Sequence, residues 1–104
     1  MTIYIVTRRS ENKSDVPNLG VHLSLESAEN HFNGIVEDRK GNKHNYKCKV
    51  HWVQYMTNRK DDVRGTYKEA YIEHPKTKYQ DKYVEMLQIE YYIIDNKEVF
   101  IELL

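Results

Sequence analysis

The residues best suited to chemistry in this chain are a cysteine and the two histidines that flank it. His44, Cys48 and His51 have the spacing His-x3-Cys-x2-His. On an α-helix these offsets would place all three side chains on one face, as a zinc site with three protein ligands requires. On a β-strand, His44 and Cys48 share a face and His51 points to the other. The neighbouring residues alternate as in a strand, so we expect no metal site and no cofactor.

Cys48 is also the chain's single thiol and therefore its candidate cysteine nucleophile. A dyad of Cys48 with a histidine would need an exposed thiolate in a basic pocket, whereas the alternation predicts that Cys48 is buried. The spacing of His22, His31 and His74 identifies no base with an orienting partner. The sequence also has no glycine-rich phosphate loop and no G-x-S-x-G or H-E-x-x-H motif. We therefore expect a protein that is not an enzyme.

A basic segment in the middle of the chain suggests a nucleic-acid-binding surface. Residues 39–82 carry 12 basic and 5 acidic side chains, although the whole chain has no net charge. Lysine and arginine attract phosphates, and exposed aromatic rings stack on bases. Within 39–68, the residues expected to bind are Lys47, Lys49, His51 and Arg59. A solvated outer strand face would produce the same pattern.

The C-terminal segment suggests a protein-binding surface instead. Residues 83–104 carry five acidic side chains and one basic side chain. Tyrosine, with its apolar ring and polar tip, suits interfaces, and carboxylates can take the place of phosphates on a basic groove. The contacts that we expect are Tyr91, Tyr92 and Glu90. They belong to a larger acidic and tyrosine-rich set: Tyr83, Glu85, Glu90, Tyr91, Tyr92, Asp95, Glu98 and Glu102.

Hydrophobic periodicity predicts the elements that position these residues. Ser24 is typical of a helix N-cap, apolar residues follow at helical spacing, and Gly41 is a natural stop, so a helix is expected at about 25–39. Along 45–56, Cys48 and Trp52 are predicted on the core side. The predicted strands are, in chain order, 2–9, 20–23, 45–56, 66–73 and 83–94, the last forming a C-terminal β-hairpin with 99–104.

These elements predict one α+β domain over residues 1–104, with one amphipathic helix packed on a mostly antiparallel sheet of about five strands. A single cysteine excludes an intramolecular disulfide. The order of apolar and basic residues at the N-terminus is not that of a secretory signal, and no apolar stretch reaches the roughly 18 residues of a membrane span. We therefore expect a cytoplasmic protein that does not associate with membranes.

The opening of the chain carries a specific pattern. Tyr4, Val6 and Thr7 lie in the first strand, and a G-V-x-x-S-x-E-x-A-E-x-x-F segment follows from Gly20 to Phe32. Over residues 1–40 this resembles a loose group of small accessory proteins from Firmicutes and their phages. The resemblance implies a phage or mobile-element origin, in the cytoplasm of the host, and a role in binding and disabling a host or defence protein.

From these patterns we expect a small non-enzymatic protein-binding module, with a phage-encoded inhibitor of a host or defence protein as its specific form. The alternative is a nucleic-acid-binding module that uses the basic segment 39–68. An unpaired sheet edge would also permit a homodimer, and the sequence leaves the oligomeric state open.

Overall fold

The computed structural model describes residues 1–10, 18–41, 47–55 and 63–94. These residues form five strands and one helix: β1 Thr2–Ser10, β2 Asn18–His22, α1 Leu25–Lys40, β3 Lys49–Tyr55, β4 Arg64–His74 and β5 Tyr83–Ile93. The strands form one sheet in the order β2-β1-β5-β4-β3, and each neighbouring pair is antiparallel. The predicted α+β fold, with one helix packed on an antiparallel sheet of five strands, is confirmed.

The central strand of this sheet is β5. Its pairing with β1 runs from Thr2 opposite Ile93 to Ser10 opposite Glu85. Its pairing with β4 runs from Arg64 opposite Tyr92 to His74 opposite Tyr83. Both edges of β5 are therefore paired. The second strand of the predicted C-terminal hairpin, 99–104, lies outside the described residues.

Local signals explain where α1 begins and ends. The Ser24 backbone is extended, and its Oγ accepts a hydrogen bond from the Ser27 N–H at 3.2 Å. At the other end, the Gly41 N–H donates to the carbonyl oxygens of Glu37 and Asp38. The predicted helix is thus confirmed. In the described part of the chain, no helix combines the length and apolar character that a membrane crossing needs.

The main core lies between α1 and one face of the sheet. From the helix, Ala28, Phe32 and Val36 pack against buried residues of the strands: Val6, Ala70, Ile72, Leu87 and Ile89. A smaller cluster on the opposite face contains Ile3, Ile5 and Ile94, with Val21 and Tyr92 packed against it. Strand β1 is therefore buried on both faces, which suits its inner position in the sheet.

A β-bulge in β3 changes the face on which Trp52 lies. Val50 is opposite Ile72, whereas Trp52 is opposite Tyr71, so His51 is the extra residue. The extra residue reverses the alternation beyond it. Trp52 consequently stacks on Tyr71, with ring centroids 5.6 Å apart, on the face away from α1. The prediction that Trp52 faces the core is wrong for this reason. Cys48, which precedes the bulge, does pack against the main core.

Candidate functional site

One end of the sheet holds a polar pocket where the end of β1, the last turn of α1, the start of β3, the end of β4 and the start of β5 meet. Its volume is about 350 Å³. That is within the range of pockets that bind small molecules. The residues that line this polar pocket are Arg8, Asp38, Arg39, Gly41, Cys48, His74, Tyr83 and Glu85.

Glu85 is the centre of the polar pocket and is 3% exposed. Its Oε1 accepts hydrogen bonds from Arg39 Nε at 2.9 Å and His74 Nε2 at 3.0 Å. Its Oε2 accepts from Arg39 Nη2 at 3.3 Å and lies 3.6 Å from Arg8 Nε. This two-point contact with Arg39 is the geometry that a guanidinium forms with a carboxylate. It joins the end of α1 to the central strand.

The surroundings of Glu85 keep its carboxylate ionised. Burial by itself would raise the pKa of Glu85. Hydrogen bonds from His74 and Arg39, together with the positive charge of Arg39, more than offset burial and lower the pKa to about 2. The carboxylate can therefore only accept hydrogen bonds at neutral pH.

Cys48 and His74 lie side by side in the polar pocket. Cys48 Sγ is 3.3 Å from His74 Nδ1 and 3.9 Å from His74 Nε2. The imidazole stacks on the Tyr83 ring, with centroids 4.2 Å apart and planes 7° from parallel. Burial raises the pKa of the Cys48 thiol, the positive charge of Arg39 lowers it and the negative charge of Glu85 raises it. The Cys48 thiol, the His74 imidazole and the Glu85 carboxylate are thus connected by successive contacts.

The sequence pattern does not predict this series of Cys48, His74 and Glu85. The alternation predicts a buried Cys48 and so argues against a cysteine–histidine pair, but Cys48 is only half-buried. The prediction that Glu85 belongs to an acidic outer surface is wrong because Glu85 faces α1 and is buried. The register of β4 on β5, in which His74 is opposite Tyr83, brings His74 to Glu85.

The three predicted protein-binding residues lie on two faces of the sheet. Tyr91 is opposite Tyr4, a residue that packs against the main core beneath α1. Glu90 and Tyr92 lie on the face away from α1, where the Tyr92 hydroxyl donates to Glu90 Oε2 at 3.1 Å. All three side chains are half-buried because β5 is the central strand. Only Glu90 and Tyr92 therefore belong to one surface.

We use the term distal face for the side of β3, β4 and β5 that is turned away from α1. Hydrogen bonds and ring contacts connect its side chains across the strands. Glu69 accepts from Gln54 Nε2 at 3.3 Å and from Gln88 Nε2 at 2.9 Å. The residues of the distal face are Lys49, His51, Trp52, Gln54, Arg64, Thr66, Glu69, Tyr71, Glu73, Val84, Met86, Gln88, Glu90 and Tyr92.

The predicted nucleic-acid-binding residues lie near the start of β3. Lys47 and Lys49 are exposed. His51 Nε2 lies 3.4 Å from Glu73 Oε1, and Lys82 Nζ lies 3.0 Å from the same oxygen. The charge of Glu73 therefore offsets part of the positive charge of this region. Arg59 lies outside the described residues.

The strand places Cys48 and His51 of the His-x3-Cys-x2-His spacing on opposite faces of the sheet. Cys48 packs against the main core, while His51 contacts Tyr71 edge to face on the distal face, with centroids 5.2 Å apart. His44 lies outside the described residues. Within 1–10, 18–41, 47–55 and 63–94, no group of three or more histidine, cysteine or acidic side chains is placed to hold a metal ion.

Comparisons with protein-family models, with curated proteins and with solved structures each found no match.

Proposed function

We propose that the protein is a small non-enzymatic binding module that presents the distal face of its sheet to a basic groove on another protein. The observation that carries this proposal is the pairing of carboxylates with neutral partners beside half-exposed aromatic rings. Glu69 accepts hydrogen bonds from two glutamine amides, and Glu90 accepts one from the Tyr92 hydroxyl.

The neutral partners preserve the negative charge of these carboxylates. An amide or a hydroxyl holds a carboxylate in place without cancelling its charge, so Glu69 and Glu90 still attract cations. Around them, the stacked Trp52 and Tyr71 offer aromatic area, and such residues are enriched where proteins bind one another. Positioned carboxylates next to aromatic rings favour a partner surface that is rich in lysine and arginine.

A basic groove of this kind is typical of proteins that handle nucleic acids, since it normally receives phosphates. The resemblance of residues 1–40 to phage accessory proteins supports a host or defence protein as the partner, met in the host cytoplasm. The module would act by covering the groove, with Glu69 and Glu90 in the places that phosphates occupy. Its action needs contact and no chemical step.

The test is affinity capture from host lysates with matched variants and quantitative mass spectrometry. Glu69→Gln/Glu90→Gln removes two charges from the distal face, and Glu26→Gln/Glu37→Gln removes two from α1 as the control. We expect one stoichiometric basic partner with the wild type and the control. The purified partner should bind the distal-face variant about tenfold more weakly for each lost carboxylate. Equal binding by both variants would refute the proposal.

The nucleic-acid-binding alternative rests on the exposure of Lys47 and Lys49 at the start of β3. Binding of labelled DNA and RNA at two salt concentrations decides it. If this alternative holds, affinity falls steeply with salt because bound lysines release counterions from the phosphates. Lys47→Gln/Lys49→Gln should then remove most of the binding. Absence of binding at low salt eliminates the alternative.

A further inference from the structure

Beyond partner binding, we propose that Cys48 is a nucleophile with His74 as its base, and that the polar pocket captures small electrophilic carbon compounds that carry an anionic group. The distances place Cys48 Sγ 3.3 Å from His74 Nδ1, and His74 Nε2 3.0 Å from Glu85. A nucleophile, a base and a group that orients the base, all within reach of a pocket, are the parts that such chemistry needs.

Glu85 determines which nitrogen of His74 carries the proton. Since the carboxylate is ionised and only accepts, His74 Nε2 must hold a hydrogen and donate it. In the neutral ring, Nδ1 is then the unprotonated nitrogen, and it is the one nearer the thiol. Stacking on Tyr83 fixes the plane of the ring. The imidazole is thus held as a base directed at Cys48.

The chemical step is a substitution at carbon. As the bond between Cys48 Sγ and the electrophilic carbon forms, the thiol proton passes to His74 Nδ1. The bond from that carbon to its leaving group breaks, and the leaving group departs with the electron pair. The imidazolium formed lies against the ionised Glu85, which stabilises its charge until the proton passes to water. No oxidant, reductant or metal is required.

The backbone around Cys48 favours a single covalent event over acyl-transfer turnover. In acyl transfer, backbone N–H groups near the nucleophile stabilise the oxyanion that develops. Here the Cys48 N–H donates to the Arg39 carbonyl oxygen at 3.1 Å. A substitution develops no oxyanion and does not need that donor. The inferred reactivity is therefore stoichiometric capture, which agrees with a module that is not an enzyme.

The preference for an anionic compound follows from Arg8. Arg39 is committed to Glu85 at 2.9 Å and to Asp38 at 3.2 Å, whereas Arg8 Nε is 3.6 Å from Glu85 and its side chain is one-third exposed. A cation with a longer contact at the wall of the pocket can attract a carboxylate on an entering molecule.

The experiment measures alkylation of the single thiol by iodoacetamide and by iodoacetate, followed by intact-mass spectrometry. Between pH 8 and pH 6 the iodoacetamide rate constant of the folded protein should fall by about tenfold at most, because His74 removes the proton. For the same chain unfolded in urea, the rate constant should fall about 100-fold over this pH interval, because it follows the fraction of thiol present as thiolate. Parallel pH profiles for the folded and the urea-unfolded protein would overturn the assignment of His74 as the base. This comparison uses the wild-type chain and does not depend on whether a variant folds.

Variants extend the same measurement. His74→Gln should slow alkylation at pH 7 at least about tenfold, and His31→Gln, the matched control in α1, should not. The ratio of the iodoacetate rate to the iodoacetamide rate should be about threefold higher in the folded protein than in urea and should fall to the unfolded value in Arg8→Gln. Equal rates in His74→Gln and the control refute the nucleophile, and an unchanged ratio refutes the anionic class alone.

Discussion

The polar pocket and the distal face treat glutamate in opposite ways. In the polar pocket, Glu85 is almost fully buried and is surrounded by Arg39, Arg8 and His74. On the distal face, Glu69 and Glu90 are half-exposed and bond to neutral groups. A buried carboxylate needs cationic partners because its charge has lost water, whereas a half-exposed one does not. The first arrangement joins elements of the fold, and the second leaves charge for a partner.

The largest difference between the two regions should appear in stability. Glu85→Gln leaves the two arginines without their carboxylate, and the expected loss in the free energy of unfolding is about 3–5 kcal/mol. Glu90→Gln, on the distal face, should change it by less than about 0.5 kcal/mol. Urea unfolding followed by circular dichroism measures both. Similar losses of unfolding free energy in the two variants would show that the two carboxylates contribute alike to stability, which contradicts the difference between the regions.

Acid should reveal the same difference without mutation. The pKa of Glu85 is about 2 in the folded protein and lies near 4.5 for an unperturbed glutamate. Its ionisation therefore contributes stability that is fully present above pH 4.5 and is lost as pH falls from there towards 2. The loss should be on the order of 2–3 kcal/mol.

The control for this titration is Glu85→Gln, measured over the same pH range. Its stability should fall much less with acid than that of the wild type. A smaller dependence in the same direction will remain, because hydrogen bonding to Lys82 lowers the pKa of the half-buried Glu73. Matching curves for wild type and variant would contradict the role given to Glu85.

The two regions also differ in how far the sequence could predict them. Helix α1 depends on signals a few residues apart, such as the Ser24 cap and Phe32 one turn after Ala28, and it was predicted within one residue at its end. The polar pocket depends on contacts between residues far apart in the chain, such as Arg39 with Glu85. Such contacts follow from strand order and register, which periodicity does not provide.

The bulge at His51 is a second feature that the local sequence pattern does not predict. The residues from Lys49 to Tyr55 alternate without a glycine or proline that would indicate an extra residue. The alternation therefore predicted Trp52 in the core, and one inserted residue moved it to the distal face. Local patterns fixed the element but not the face, and the face decides whether an aromatic ring supports the core or is available to a partner.

A truncation of Trp52 tests that change of face. On the distal face, Trp52→Ala loses its stacking on Tyr71 and part of its buried area, so we expect a loss of about 1–2 kcal/mol. Phe32 is a core aromatic residue with no exposed surface, and Phe32→Ala should lower the free energy of unfolding by about 3–5 kcal/mol. Thermal or urea unfolding compares the two. A loss for Trp52→Ala as large as that for Phe32→Ala would place the indole in the core after all.

A smaller effect than that of Trp52→Ala is expected for the hydroxyl of Tyr92. Burial raises the pKa of Tyr92, and the nearby charge of Glu90 raises it further, so the hydroxyl stays protonated and donates to Glu90. Tyr92→Phe removes this donor and should cost about 0.5–1 kcal/mol, since a half-exposed carboxylate regains water.

A double-mutant cycle of Tyr92→Phe with Glu90→Gln measures the coupling free energy between these two residues, which should be below about 1 kcal/mol. If the hydroxyl serves mainly to position Glu90 for a partner, Tyr92→Phe will weaken partner binding by a larger free energy than it removes from stability. Equal effects on binding and stability would mean that this hydrogen bond supports the sheet and that the distal face does not hold its carboxylates in place for a partner.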